Sequence, residues 1–185
     1  MLMKRSCTAF EQVGDSRNAC VQRMTIARIA MTLGQLEEAL EGFEACIELA
    51  RAEGLAGVLA GARLHAGLVK SWLTRFDEAE TDLRRALEAL RKQRDERMIA
   101  LSTALYARVV LERHRVDEAE ALLREGLAMA EPYPSVRALL LATYAQTHSR
   151  RAMLAESAVP PEALKAVAEV ASMVGELGEL DEGEG

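Results

Sequence analysis

The chain has 185 residues, half of them hydrophobic but only 4% aromatic, with 12 glycines, 4 prolines and a net charge of -6. A chain of this length buries roughly 70% of its unfolded surface unaided, and Cys7, Cys20 and Cys46 are odd in number and fall in no metal-ligand spacing, which excludes disulfide and zinc frameworks and points to a reducing compartment. Glu176, Glu179, Asp181, Glu182 and Glu184 carry -5 of the charge, leaving -1 for the rest (-6 minus -5), a balance that excludes a general nucleic-acid binder.

The N-terminus places Lys4 and Arg5 ahead of a polar stretch, Glu11 to Asn18, where a secretory signal would carry its apolar core, and the chain contains no run of 18 apolar residues. A cytoplasmic protein without membrane contact is expected. Abundant Ala, Leu, Glu and Arg favour helix. In chain order, a short helix is expected over 3–13, with Phe10 and Val13 packing on the first hairpin. First-type helices are expected at 16–32, 56–73 and 96–113, and second-type helices at 35–52, 75–92 and 115–130. A further first-type helix opens at Pro134, suited to a first helical turn, and runs to about 153. Val159-Pro160-Pro161 lengthens the next turn before a last helix carrying Leu164, Val167, Val170, Val174 and Leu177. The Gly- and Glu-rich end, 178–185, is expected to be a flexible acidic tail.

A repeat imposes this order. Leu36-Glu37-Glu38-Ala39 recurs as Phe76-Asp77-Glu78-Ala79 and as Val116-Asp117-Glu118-Ala119, 40 residues apart each time (36, 76, 116). The register continues through Phe43, Leu83 and Leu123, then Ile47, Leu87 and Leu127, with Cys46, Ala86 and Gly126 between. Upstream, Ala27, Gly67 and Ala107 align. Leu36, Ala39, Leu40, Phe43, Ile47 and Ala50 follow three-and-four spacing, one buried helical stripe. The paired acids sit in the first turn, where the positive end of the helix dipole favours carboxylates by ~0.3–1 kcal/mol each. They mark helix starts and not a catalytic pair. Gly34, Thr74 and His114 occupy the turns just before them, so each unit is a helical hairpin.

These residues resemble the tetratricopeptide repeat family: a small residue in the first helix (Ala27, Gly67, Ala107), a turn glycine (Gly34), an early alanine in the second helix (Ala39, Ala79, Ala119), then a large apolar and a small residue (Phe43 and Cys46, Leu83 and Ala86, Leu123 and Gly126). The family's usual period is 34. A period of 40 resembles its longer-helix variety in bacterial signalling and regulatory proteins, and Arg23, Arg63 and Thr103 stand where an early tryptophan or other large residue is usual. The resemblance implies an all-α fold, a right-handed α-solenoid of antiparallel helical hairpins with about three and a half repeats in one domain over 1–177, its units near 15–54, 55–94, 95–134 and 135–177.

It also implies a concave groove lined by first helices that binds a partner peptide or protein surface. By helical spacing from the small residues, the groove candidates are Met24, Arg28 and Met31, then Leu64, Leu68 and Trp72, then Ala104, Arg108 and Leu111, then Tyr144, His148 and Arg151. Apolar anchors mixed with cations suit an amphipathic or acidic segment. The carboxylate clamp of some family members is not reproduced, since its positions read Met24, Arg28, His65, Leu101 and Leu105. Trp72 reads as an interface anchor or, more readily, as packing between hairpins, and the stripe Arg28, Arg108, Arg151 reads as a binding surface or as solvated charge.

His65, His114 and His148 lie far apart with no carboxylate pattern, so no metal or other cofactor is expected. Phosphate loops, metalloprotease His pairs and nucleophile elbows are missing. The chain is therefore expected to be a non-enzymatic interaction module or scaffold. The alternative is a ligand- or peptide-sensing regulatory domain of a bacterial signalling protein, as a fragment of a longer chain, and self-association through a terminal hairpin is a third possibility.

Overall fold

A computed structural model describes the backbone of Phe10 and residues 14–182, and side chains through 175. The helix expected over 3–13 lies, apart from Phe10, outside the described residues, as do Cys7 and residues 183–185. The described residues form eight helices: α1 (Ser16–Thr32), α2 (Leu36–Ala52), α3 (Ala56–Trp72), α4 (Phe76–Gln93), α5 (Glu96–Glu112), α6 (Val116–Leu127), α7 (Pro134–Leu154) and α8 (Pro161–Glu182). Helix starts at 16, 56 and 96, and at 36, 76 and 116, reproduce the 40-residue repeat. The fold is all-α, a solenoid of antiparallel helical hairpins, and the chain divides into two compact units, 1–94 and 95–185.

The local chemistry of each turn explains the regularity. Residues 34, 74 and 114 all take left-handed backbone, at φ of 76°, 59° and 59°. Each closes the preceding helix with the same pair of bonds: Gly34 N–H to Met31 O and Gln35 N–H to Ala30 O, Thr74 to Ser71 and Arg75 to Lys70, His114 to Leu111 and Arg115 to Val110. That double closure satisfies carbonyls a helix end otherwise leaves open. The next helix then starts with its two acids. Glycine is at home in this conformation, whereas a β-branched residue is strained by about 1–2 kcal/mol. Thr74→Gly is accordingly expected to raise stability by about 1 kcal/mol and Gly34→Ala to lower it by a similar amount, as read from urea midpoints with unchanged slopes.

In the first unit, α2 packs on both α1 and α3, and α3 on α4. Phe43, Leu40 and Ile47 of α2 form one core with Ala27 and Ala30 of α1 and with Ala62, Ala66 and Val69 of α3. Small residues set the closeness of approach: a Cβ at Gly67 would lie 2.7 Å from Leu83 Cγ, and one at Gly42 would lie 2.9 Å from Ala27 Cβ. Cys20 and Cys46 are free thiols in this core, with Cys46 Sγ donating to Cys20 O at 3.6 Å.

In the second unit α6 packs on α5 and α7, and α8 on α7. Gly126 sits where the three helices α5, α6 and α7 meet, since a Cβ there would overlap Thr103 Oγ1 and stand 2.7 Å from Leu140 Cδ2. Two element ends depart from the sequence expectation. Helix α6 stops at Leu127, not 130, because its end tightens into three-residue turns, Met129 N–H to Gly126 O and Ala130 N–H to Leu127 O, just ahead of Pro132, which has no N–H to continue the ladder. Helix α8 continues to Glu182, past the boundary expected at 177.

Candidate functional site

The first helices of a hairpin stack carry the candidate residues, and each unit presents its own set. In the first unit α1 and α3 lie side by side. Arg28 is exposed on α1, while Met24 and Met31 are half-buried against the core. The Met24 Cε reaches across to α3, 3.4 Å from where a Cβ at Gly61 would stand. One turn on, His65 stacks on Phe43 with ring centroids 5.2 Å apart.

His65 Nδ1 lies 2.8 Å from Gly61 O, and a carbonyl can only accept, so Nδ1 carries the proton and Nε2 is left as an acceptor. Burial pushes the imidazole pKa below its ordinary 6.5; the bond to Gly61 opposes this, and the nearby Arg28 charge adds to it. The neutral ring therefore offers an acceptor close to a guanidinium that can only donate. Among the described residues Arg28 makes no ion pair. Leu68 is half-buried and Trp72 is 43% exposed at the end of α3.

Because the folded pKa of His65 is depressed, the folded state binds a proton less readily than the unfolded chain. Its contribution is present above the unfolded value of 6.5 and is lost as pH falls through the folded pKa. Stability is expected to fall faster below pH 6.5 in the wild type than in His65→Gln, as measured by urea unfolding at a series of pH values.

Leu64 is 1% exposed and Leu111 0%, so both are core residues and present nothing to a ligand, in correction of their placement in a groove; Ala104, at 0%, is core too. A first helix that packs on two or more other helices, α3 on α2 and α4 and α5 on α6 and α7, loses these flanking positions to the interior. Arg108 on α5 is exposed as expected.

The α7 set is also corrected. Arg151 NH1 lies 2.7 Å from Glu120 Oε2 on α6 and its other nitrogen pairs with Asp117. His148, 8% exposed, turns Nε2 to 3.7 Å from Glu120 Oε1. Tyr144 tilts against His148, centroids 4.3 Å apart, and packs on the core formed with Ala166 of α8. These side chains face second-type helices. The cause is Glu120, only 6% exposed, which stands in the repeat position of Leu40 and whose buried charge requires cations; Arg124 supplies another.

The sequence reading missed the charged site in the first unit. Lys70 on α3 is 7% exposed, and its Nζ lies 2.8 Å from Asp82, 3.1 Å from Glu44 and 3.9 Å from Glu78. The available signal was a lysine at the repeat position of Ala30 and Val110, just as Glu120 replaces Leu40. An open pocket of about 610 Å3 adjoins the start of α6 and the end of α7. Its Arg151 is already spent on Asp117 and Glu120, and its Arg115 lies 3.2 Å from Glu118.

Among the described residues no helix is long and apolar enough to cross a membrane. Residues 23–53, spanning the end of α1 and all of α2, match the model of the tetratricopeptide repeat family. Among solved structures, BtubC (BKLC) from P. vanneervenii is similar at 14% identity and a TM-score of 0.71, over 95% of this chain and 80% of that one. A kinesin light chain from Podosopora anserina with TPR-like repeats is similar at 17% identity and 0.60, over 91% and 90%. The apo form of RapI is similar at 14% identity and 0.69, over 96% of this chain and 58% of that one. No curated protein matches the sequence. With the 40-residue hairpin repeat, the shared core positions and this match in hand, residues 23–53 form a tetratricopeptide repeat and the chain has the fold of tetratricopeptide repeat proteins.

Proposed function

We propose that the chain is a non-enzymatic protein-interaction module whose α1–α3 face takes an acidic, amphipathic segment of a partner protein. The observation that supports this reading best is the placement of the exposed Arg28 near the neutral His65, with Met24 lining the same face. Arg28 donates to a carboxylate or a main-chain carbonyl. His65 Nε2 accepts from an N–H of the same segment. Met24 supplies a wall that adapts to an apolar side chain, and Trp72 offers an anchor further along α3. Arg108 repeats the register of Arg28 in the second unit and is likewise exposed. The net charge of -6 argues against nucleic acid as the partner.

Affinity capture with wild type and with an Arg28→Glu variant of equal helicity tests the reading. A partner protein retained by wild type is expected to bind the variant at least about tenfold more weakly, the effect of losing a charged hydrogen bond worth about 1.5 kcal/mol or more. Binding unchanged in the variant overturns the reading. Arg151 is left out of the variant because its charge stabilises α6.

A further inference from the structure

Cys20 of α1 and Cys46 of α2 are both buried and face each other across the first hairpin. Cys46 Sγ donates to Cys20 O at 3.6 Å and hydrogen-bonds the Cys20 thiol as well. In the 40-residue register their positions hold Ala60 and Ala86 in the second hairpin and Ala100 and Gly126 in the third. Small residues there let the paired helices close on each other. Further along the same seam a Cβ at Gly42 would lie 2.9 Å from Ala27 Cβ, so α1 and α2 run in direct contact. A disulfide spans Cα atoms roughly 4.4–6.8 Å apart, a range that helices in such contact offer. Of the three hairpins in this register, the first alone places a cysteine on both sides of the seam.

We propose that Cys20 and Cys46 form a reversible disulfide when the protein meets hydrogen peroxide, tying α1 to α2. The Cys20 sulfur attacks one peroxide oxygen, the O–O bond breaks, and Cys20 becomes a sulfenic acid as one water leaves. The Cys46 sulfur then attacks the Cys20 sulfur, the S–O bond breaks, and a second water leaves with the Cys46 proton. Two thiols are oxidised and one peroxide is reduced. Cys20 reacts first because it lies in the second turn of α1, and helix ends open before their middles. Cys46 lies deeper, in the core that α2 shares with α1 and α3. Burial pushes the Cys20 thiol pKa up, and the hydrogen bond from Cys46 opposes it. The closed hairpin therefore protects both thiols, and the reaction runs slowly through that opening. Closure returns the sulfenic sulfur to Cys46. In a reducing compartment the bond is transient and is undone by small thiols.

Treating the native full chain with hydrogen peroxide, then alkylating and mapping it by mass spectrometry without reductant, tests this. The expected product has lost two hydrogens, about 2 Da, and carries Cys20 linked to Cys46; dithiothreitol restores both thiols. Cys7→Ser is expected to give the same link. In urea the expected link shifts to Cys7–Cys20, 13 residues apart (20 minus 7) against 26 for Cys20–Cys46, because the shorter loop closes more readily in an unfolded chain. Cys20→Ala and Cys46→Ala each install the residue that the second hairpin carries, so both keep the fold. With peroxide and dimedone, a sulfenic-acid trap, Cys20 is expected to be labelled in Cys46→Ala, and Cys46 to stay unlabelled in Cys20→Ala. Thiols that stay free or pass to sulfinic acid without linking overturn the proposal. So does a native product linked through Cys7, or the same pairings in native buffer and in urea. Label on Cys46 in Cys20→Ala with none on Cys20 in Cys46→Ala overturns the order of attack.

Discussion

Lys70→Ala is expected to lower stability by about 3–5 kcal/mol, the cost of removing one partner from a buried ion pair. Measured as a shift in urea midpoint, this is a large part of the 5–15 kcal/mol that holds a domain of ordinary stability. The Lys70 side chain is 8% exposed, and among its carboxylate partners Asp82 is 14% exposed while Glu44 and Glu78 are about half exposed. Glu44 and Glu78 can turn into water when the lysine is lost. Asp82 cannot, so most of the cost falls there. Lys70→Met retains the aliphatic stem and is expected to cost less than Lys70→Ala. Adding Asp82→Leu to Lys70→Met removes the stranded carboxylate and is expected to recover most of the loss.

The same site gives a signed pH dependence. Burial acts to lower the Lys70 pKa, but the hydrogen bonds and charges of Asp82 and Glu44 outweigh it and the net direction is upward from 10.5. A raised folded pKa contributes stability that is complete below the unfolded value and is lost as pH rises through the folded one. Wild type is therefore expected to lose more thermal stability than Lys70→Met between about pH 10 and 12, the range around the ordinary lysine pKa.

Phe43→Ala is expected to cost about 3–5 kcal/mol, the range for truncating a buried aromatic. Phe43 is 0% exposed and lies in the core shared by α1, α2 and α3. Its second consequence is local to the candidate site. His65 owes its lowered pKa first to burial and rests its ring on Phe43, so opening that space is expected to return the imidazole toward 6.5. NMR titration of the His65 ring protons measures it. Phe43→Leu is expected to cost less, because it keeps most of the volume, and to leave the titration nearly unchanged.

The hairpin architecture was legible because it is written in one helix at a time. Apolar spacing around Ala39, Ala79 and Ala119 and the paired acids beside them specify helix starts without reference to any neighbour, and the observed starts at 36, 76 and 116 agree with them. Side-chain exposure is a property of pairs and triples of helices. Leu64 and Leu111 sit on the first-helix arcs that periodicity marks as open, yet both are buried where α3 packs on α2 and α4 and where α5 packs on α6 and α7. Glu120 and Lys70 draw partners from other helices, and no single-helix pattern contains both halves of such a pair. The direction of His148 and Arg151 is set by Glu120 and could be read only once α6 and α7 were side by side. Arg28 and Arg108 are exposed as expected, and among the described residues neither makes an ion pair.

Hydrogen–deuterium exchange of the chain with and without its captured partner tests the binding face most directly. Slowed exchange confined to α1 and α3, 16–32 and 56–72, together with loss of that protection in Arg28→Glu, is the expected result. Protection of α2 and α4, 36–52 and 76–93, with α1 and α3 unchanged, would contradict the α1–α3 face as the site where a partner binds.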